Sequence, residues 1–208
     1  MANAKRDGAS PEECRDLRSS IEWMKKAGDI IVTDKEVDPN LELTGIQKKL
    51  DGGCPILFNN VKGKPQHRCI TNLFGDMNVI NKMFGWKDHA ERTRKLAYAI
   101  THPIAPIVVD QKDAPVQEEV YEKPAEASDF VVPIRHTNIE PELTVGSGNR
   151  LISGEYFNGG TDLGYNRMNF RWGNVGTFQI SPGSHMWQVV SKYYKDNKIG
   201  RASCRERV

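Results

Sequence analysis

Over its first 110 residues the chain alternates between short apolar runs and amphipathic helical patterns, and this alternation most constrains the fold. Three runs rich in β-branched residues predict strands, at residues 29–37, 55–61 and 67–73. Four helical patterns accompany them, at residues 10–28, 41–53, 76–85 and 88–102. Strands that alternate with helices are typical of an α/β domain, which we expect to extend to about residue 110.

The helical patterns also predict where helices begin and which residues they bury. Ser10 is the expected N-cap of the first helix, with Pro11 in its first turn and Gly28 at its end. A stripe at helical spacing is expected to face the core: Leu17, Ile21 and Met24. In the helix of residues 88–102, Leu96 and Ile100 mark an apolar face.

The pattern changes after a polar stretch, residues 111–130, which contains Pro115 and Pro124 and is typical of a linker. Four short segments separated by glycines predict an antiparallel sheet or a small barrel, at residues 142–145, 150–157, 163–172 and 175–181. A last helix follows from Ser181, with one face formed by Trp187, Val190 and Tyr194. The fold class is therefore α/β (α+β), with domains at 1–125 and 126–199.

The last nine residues, 200–208, are basic and match no preceding element. We interpret them as a non-native junction in the sequence, which is excluded from fold reasoning. A native, frayed tail is the alternative.

Charge and cysteine content exclude several classes of function. The formal net charge is +2, from 29 basic and 27 acidic side chains, and gives no electrostatic footprint for nucleic acid or an anionic membrane. No apolar run approaches the ~20 residues that a spanning helix needs. The four cysteines form no dense framework, which favours a reducing compartment, and they lack C-x-x-C spacing, which argues against a zinc site. We expect a soluble, cytoplasmic protein with neither a nucleic-acid nor a membrane partner.

Arg167 is the first candidate site residue. In a strand of residues 163–172, period two places it on one face with Leu163, Tyr165, Asn169 and Arg171. The other face carries Met168, Phe170 and Trp172, which look like core. Arg167 is then either a solvated arginine on a half-exposed strand or part of a site, and the periodicity leaves both open.

The start of the last helix is the second candidate. With Ser181 as N-cap and Pro182 as first helical residue, free backbone amides near Gly183 and Ser184 would attract an anion such as a phosphate. His185 lies on the first turn, and Asp162 could add an oxygen ligand, a mixed set that suits Mn²⁺. A histidine that only caps or packs is the alternative.

The stretch TDLGYNRM…ISPGSHMW resembles the UbiD-like decarboxylases, which use prenylated FMN. That family shows an Asn or Asp five residues before an Arg and a His eighteen residues after it, and Asp162, Arg167 and His185 meet both spacings. Upstream segments resemble the family in order: EVDPNLELTGI, PILFNNVKGKP, HPIAPIVV, APVQEEVY and TNIEPELTVG. The resemblance covers nearly all of residues 15–198.

The resemblance implies an N-terminal α/β domain followed by the first part of a split β-barrel that holds the flavin. It implies a divalent ion, usually Mn²⁺, at Asp162 and His185, with K⁺ as an optional further ion. It makes Arg167 the catalytic arginine and lines the cofactor with eight residues: Asp162, Leu163, Gly164, Tyr165, Asn166, Arg167, Ser184 and His185. The acidic residue at 162 is similar to hydroxybenzoate-type members and suggests a phenolic or catecholic acid as substrate.

The family's third metal ligand and its two catalytic glutamates lie downstream of this chain. We therefore expect an incomplete N-terminal part, inactive alone, of an enzyme that is a homo-oligomer at full length. Two other functions stay open, a non-catalytic flavin- or nucleotide-binding module and a structural subunit of a carboxylase complex.

Overall fold

The computed structural model describes residues 8–10, 12–105, 107, 109–114, 118, 129–140, 144–153, 161–172, 175–177 and 180–196. The chain divides into two compact units, the first made of residues 1–38 and 45–120 and the second of residues 39–44 and 121–208. The domain limits at residues 125 and 199 stay predictions, and most of the linker and the whole tail lie outside the described residues. Within the described ranges no helix is long and apolar enough to cross a membrane.

The first unit contains a three-stranded sheet with the order β1-β2-β3. Its strands are β1 (Ile31–Thr33), β2 (Ile56–Phe58) and β3 (Cys69–Thr71), each within a predicted run. β1 and β2 are parallel, whereas β2 and β3 are antiparallel. All three side chains of β2 are buried, as expected of an apolar central strand.

All five predicted helices are present: α1 (Leu17–Ala27), α2 (Glu42–Lys49), α3 (Met77–Phe84), α4 (His89–Thr101) and α5 (His185–Lys195). A 3₁₀ turn follows α4 at Gln111–Asp113. Aspartates cap α3 and α4 through side-chain oxygens, and a left-handed glycine ends both α1 and α3.

The predicted start of α1 is wrong by six residues. Ser10 and Glu13 exchange two hydrogen bonds, of 2.9 and 3.2 Å, but these close only a single turn. The N-cap of the helix is Asp16, which is extended and forms a capping box with Ser19. Two capping boxes thus follow one another in the sequence, and only the second begins a continuous helix.

The core of the first unit lies between α1, α3 and β2. Five buried residues form one cluster: Ile21, Met24, Leu57, Val79 and Met83. The predicted stripe of α1 is confirmed, since Ile21 and Met24 are buried and Leu17 packs at the edge of the cluster. Helix periodicity therefore identified the face of α1 that contributes to this core.

α4 does not bury the apolar face that its sequence predicts. Leu96 is 50% exposed and Ile100 is 80% exposed, and α4 contributes no buried residue to the part of the chain that the structure describes. A polar contact instead joins it to α3, because Arg92 Nη1 donates to Asn81 Oδ1 at 2.8 Å. Periodicity identifies a face that can be buried, but it does not supply the surface that covers it.

The second unit contains an antiparallel sheet with the order β4-β5-β6. Its strands are β4 (Thr144–Ser153), β5 (Thr161–Trp172) and β6 (Val175–Thr177). The antiparallel sheet is confirmed, but two predicted segments, 142–145 and 150–157, meet in the single strand β4. The split β-barrel stays a prediction.

The face of α5 formed by Trp187, Val190 and Tyr194 is exposed. Val189 is 6% exposed, whereas three aromatic or apolar residues are open to solvent: Trp187, Val190 and Tyr194. These three residues share a face at helical spacing, as predicted, but the buried residue, Val189, is next to Val190 in the sequence and is not part of that face.

We predict that Asp16→Ala lowers the free energy of unfolding of the first unit by about 1 kcal/mol, because the α1 amides lose their capping carboxylate. Ser10→Ala is the matched control and should cost less, since Ser10 closes only one turn. Urea unfolding followed by circular dichroism measures both. An equal or larger loss in Ser10→Ala would contradict the start of α1 at Asp16.

Candidate functional site

A β-bulge in β4 lies opposite Arg167. Val145 pairs with Met168 and Gly148 pairs with Asn166, so that residues 146 and 147 oppose Arg167 alone. Such a bulge bends its strand, increases the local twist and can redirect a side chain. Gly146 is one of the two bulged residues and Gly148 is the next paired residue, so these glycines lie within a continuous strand and do not separate two strands.

Thr144 joins the sheet to the preceding segment of the chain. Its backbone exchanges two hydrogen bonds with Ile134, at 2.8 and 2.9 Å. Its hydroxyl donates to Asn169 Oδ1 on β5 at 2.7 Å, and Thr144 is 1% exposed. These bonds hold residues 134–140 beside the part of β5 that carries Arg167.

Glu140 lies against Arg167. Arg167 Nη1 is 3.4 Å from Glu140 Oε1, and the two side chains are 63% and 15% exposed. The second carboxylate oxygen, Oε2, accepts the His136 backbone N–H at 2.6 Å. His136 Nδ1 is also 3.4 Å from Oε2, but the pair does not have hydrogen-bond geometry. Glu140 therefore contacts Arg167 and His136 through different oxygens.

Arg135 organises the loop that carries Glu140. Its Nη2 donates to the carbonyl oxygens of Glu140 and Asn138, at 2.8 and 3.3 Å. Its own backbone N–H donates to the Pro39 carbonyl, and its carbonyl accepts from the Leu41 N–H and the Thr44 hydroxyl. The loop is thus tied to residues 39–44, which belong to the same unit.

The surroundings of Glu140 favour its ionised form. Burial acts to raise the pKa of Glu140, but it is outweighed by the His136 amide, the charge of His136, the Thr137 amide and the Arg167 guanidinium. The net pKa lies below the ordinary value of 4.5. The carboxylate is therefore ionised at neutral pH and able to pair with Arg167.

The N-cap of α5 is Ser184, three residues after the predicted one. The Ser184 hydroxyl accepts the Trp187 N–H, while Ser181 and Ser184 close a turn before the helix. Gly183 adopts φ +84°, and a Cβ added there would meet no atom within 4 Å. Because the Ser184 N–H donates to the Ser181 carbonyl, the expected free amide at Ser184 is wrong. His185 is the first helical residue.

The predicted cofactor residues on β5 lie in sequence along one strand. Asp162, Leu163, Gly164, Tyr165 and Asn166 pair with β4 between Ile152 and Gly148. Their side chains lie outside the described part of the structure, so the contact between Asp162 and His185 stays a prediction. No group of three metal-ligating side chains occurs among the residues that are described.

Sequence reasoning missed Glu140 and His136. Both lie in TNIEPELTVG and the residues just before it, a segment that contributed to the family resemblance without any single residue being selected. The available signal was the spacing of four residues between His136 and Glu140. That spacing does not by itself indicate a contact, which depends on the loop conformation that the Arg135 hydrogen bonds stabilise.

We predict that the carboxyl group of Glu140 titrates with a midpoint below 4.5, measured by carbon-detected NMR. Because the folded pKa is lowered, the stability that Glu140 contributes is present above the ordinary pKa and is lost as pH falls through the folded value. Arg167→Gln should move the midpoint upward, since it removes one positive charge. A midpoint at or above 4.5 in the parent protein would contradict this electrostatic account.

Comparison with known proteins identifies relatives of both units. Residues 21–100 match the family described as the 3-octaprenyl-4-hydroxybenzoate carboxy-lyase N-terminal domain. Over 182 residues the chain is 30% identical to gallate decarboxylase of Lactiplantibacillus plantarum, covering 80% of this chain and 36% of that protein.

Two solved structures share the fold over 88% of this chain. The apo 3,4-dihydroxybenzoic acid decarboxylase of Enterobacter cloacae gives a TM-score of 0.79 at 24% identity, over 40% of its length. An evolved dimeric form of the UbiD-class enzyme HmfF from Pelotomaculum thermopropionicum, in complex with prFMN, gives 0.78 at 22%, over 42% of its length. The chain thus spans less than half the length of these relatives.

Proposed function

We propose that this chain, which belongs to the UbiD-like family, is the N-terminal part of an enzyme that removes CO₂ from an aromatic carboxylic acid without net oxidation. The observation that carries the proposal is Arg167, an exposed guanidinium on β5 that the partly buried carboxylate of Glu140 contacts. A solvated arginine on an ordinary strand needs no such partner, whereas an arginine that binds a substrate carboxylate benefits from a defined orientation.

The substrate class that we propose is a phenolic or catecholic acid. Two relatives are named for gallate and 3,4-dihydroxybenzoic acid, both of which carry hydroxyl groups on the ring. The acidic residue at 162, similar to hydroxybenzoate-type members, agrees with this class.

Prenylated FMN is the cofactor that we propose, since one relative of this fold is in complex with prFMN. The turn before α5 suits a phosphate, because the open space at Gly183 lets an anion approach the backbone next to a helix start. Ser184, His185 and the β5 residues 162–167 would hold the flavin, with Mn²⁺ or a similar ion at Asp162 and His185. The modified flavin, when bound, supplies the electron sink for decarboxylation.

The residues of this chain would bind and orient the acid. The Arg167 guanidinium presents a planar set of N–H donors that matches a carboxylate, and its charge would also keep a neighbouring acid ionised. We assign the proton that replaces CO₂ on the ring to a glutamate in the remainder of the enzyme. Arg167 thus holds the group that leaves, while the proton comes from elsewhere.

Replacing Arg167 tests the proposal. In the complete enzyme, Arg167→Ala should retain its fold and some flavin but lose at least about tenfold in turnover, because a charge-assisted contact is worth roughly 1.5–3 kcal/mol. Arg167→Lys should also be poor, since an ammonium lacks the forked donors. CO₂ release from a panel of hydroxybenzoic acids, normalised to bound flavin, is the measurement.

Arg94→Ala is the matched control, because Arg94 is an exposed arginine on α4 in the other unit. It should leave CO₂ release unchanged. Near-normal turnover per flavin in Arg167→Ala would show that Arg167 is a solvated surface residue. Flavin binding without CO₂ release from any tested acid in the parent enzyme would favour the non-catalytic flavin-binding module instead.

Replacing His185 tests the metal proposal. His185→Ala should lower bound Mn²⁺ and bound flavin together, because an ion held by His185 would contribute to the binding of the flavin as well. His89→Ala is the matched control, since His89 is also the first residue of a helix and is exposed. Metal analysis and flavin absorbance of the purified proteins give the result, and unchanged metal content in His185→Ala would overturn the assignment.

A further inference from the structure

The two side chains of the Arg167–Glu140 pair differ strongly in exposure. Arg167 is 63% exposed and Glu140 only 15% exposed, at an Nη1–Oε1 distance of 3.4 Å. An ion pair between two exposed groups contributes little and orders neither partner. Here one partner is partly buried and its position is fixed by other contacts, so that it can orient the other partner.

Glu140 is held in place without help from Arg167. The His136 amide donates to Oε2 at 2.6 Å, and Arg135 Nη2 donates to the Glu140 carbonyl at 2.8 Å. The loop itself is paired to β4 through Ile134 and Thr144. Oε1 is the oxygen that contacts Arg167, and the rest of the residue is fixed by the loop.

We propose that Glu140 is a positioning residue for Arg167, which orients the guanidinium so that its remaining donors face the carboxylate of the substrate. This inference rests on the proposed function of Arg167. A guanidinium has five N–H donors, and a contact through one of them leaves the others for a second carboxylate. Orientation before binding removes the entropic cost of ordering a long side chain when the substrate arrives.

Glu140→Gln is the variant that tests the proposal, because it keeps the size and the acceptor for the His136 amide but removes the charge. We expect KM for the aromatic acid to rise about two- to fivefold with kcat little changed, the pattern of a lost binding contribution. Glu140→Asp keeps the charge on a shorter side chain and should lie between parent and Glu140→Gln.

Glu22→Gln is the matched control. Glu22 pairs with Lys25 at 2.8 Å on α1, in the other unit, so the variant removes a carboxylate charge and its ion pair from a unit that does not contain Arg167. It should leave KM and kcat unchanged. A purely structural effect of removing any carboxylate would appear in both variants.

The contact can also be measured without catalysis. The side-chain Nε–H signal of Arg167 in a ¹⁵N NMR spectrum, assigned by its loss in Arg167→Lys, should shift and exchange faster with water in Glu140→Gln. It should be unchanged in Glu22→Gln. An unchanged signal in Glu140→Gln overturns the positioning role, even if the parent releases CO₂.

A double-mutant cycle separates positioning from general stabilisation. If Glu140 acts through Arg167, Glu140→Gln should have no further effect on binding of an unreactive benzoic acid analogue in the Arg167→Ala background. Additive losses would overturn the proposal. Should Glu140→Gln fail to fold, Glu140→Asp replaces it in the cycle and in the NMR measurement. A parent enzyme without CO₂ release refutes the proposed function, while the NMR signal still reports on the Glu140–Arg167 contact.

Discussion

The candidate site depends on Thr144. This residue is almost completely buried, pairs by two backbone hydrogen bonds with Ile134 and donates its hydroxyl to Asn169 on β5. These bonds align the start of the loop of residues 134–140 with Asn169 on β5. A buried hydroxyl and its acceptor must be satisfied together, so the pair specifies one alignment of loop and strand.

The alignment of the loop with β5 places Glu140 beside Arg167 and so determines which charges are in contact in the site. Glu140 reaches Arg167 with one oxygen and the His136 amide with the other. Across the sheet, Arg167 faces two residues of the bulge, 146 and 147, instead of one paired residue. Its guanidinium is consequently open to solvent on one side and in contact with a carboxylate on the other, which is the arrangement that binding of an acid requires.

Within the first unit, some features could be predicted from the sequence and others could not. Ile21 and Met24 are buried in the core of the first unit, as helix periodicity predicts for α1, because the stripe depends on local spacing. The start of α1 and the exposure of Leu96 and Ile100 were not predictable in the same way. The sequence contains two capping boxes, and only one of them begins α1. The sequence of α4 predicts an apolar face but does not determine whether another part of the protein covers it.

By itself the sequence determined the order of helices and strands in the first unit, the buried face of α1, the antiparallel sheet of the second unit and the place of Arg167 on β5. These follow from periodicity and turn residues, which act over a few neighbouring positions. Tertiary structure alone decided that Gly146 belongs to a bulge, which Gly148 follows, and that Glu140 contacts Arg167. Glu140 and Arg167 are 27 residues apart, and only the pairing of a loop, β4 and β5 brings such residues together.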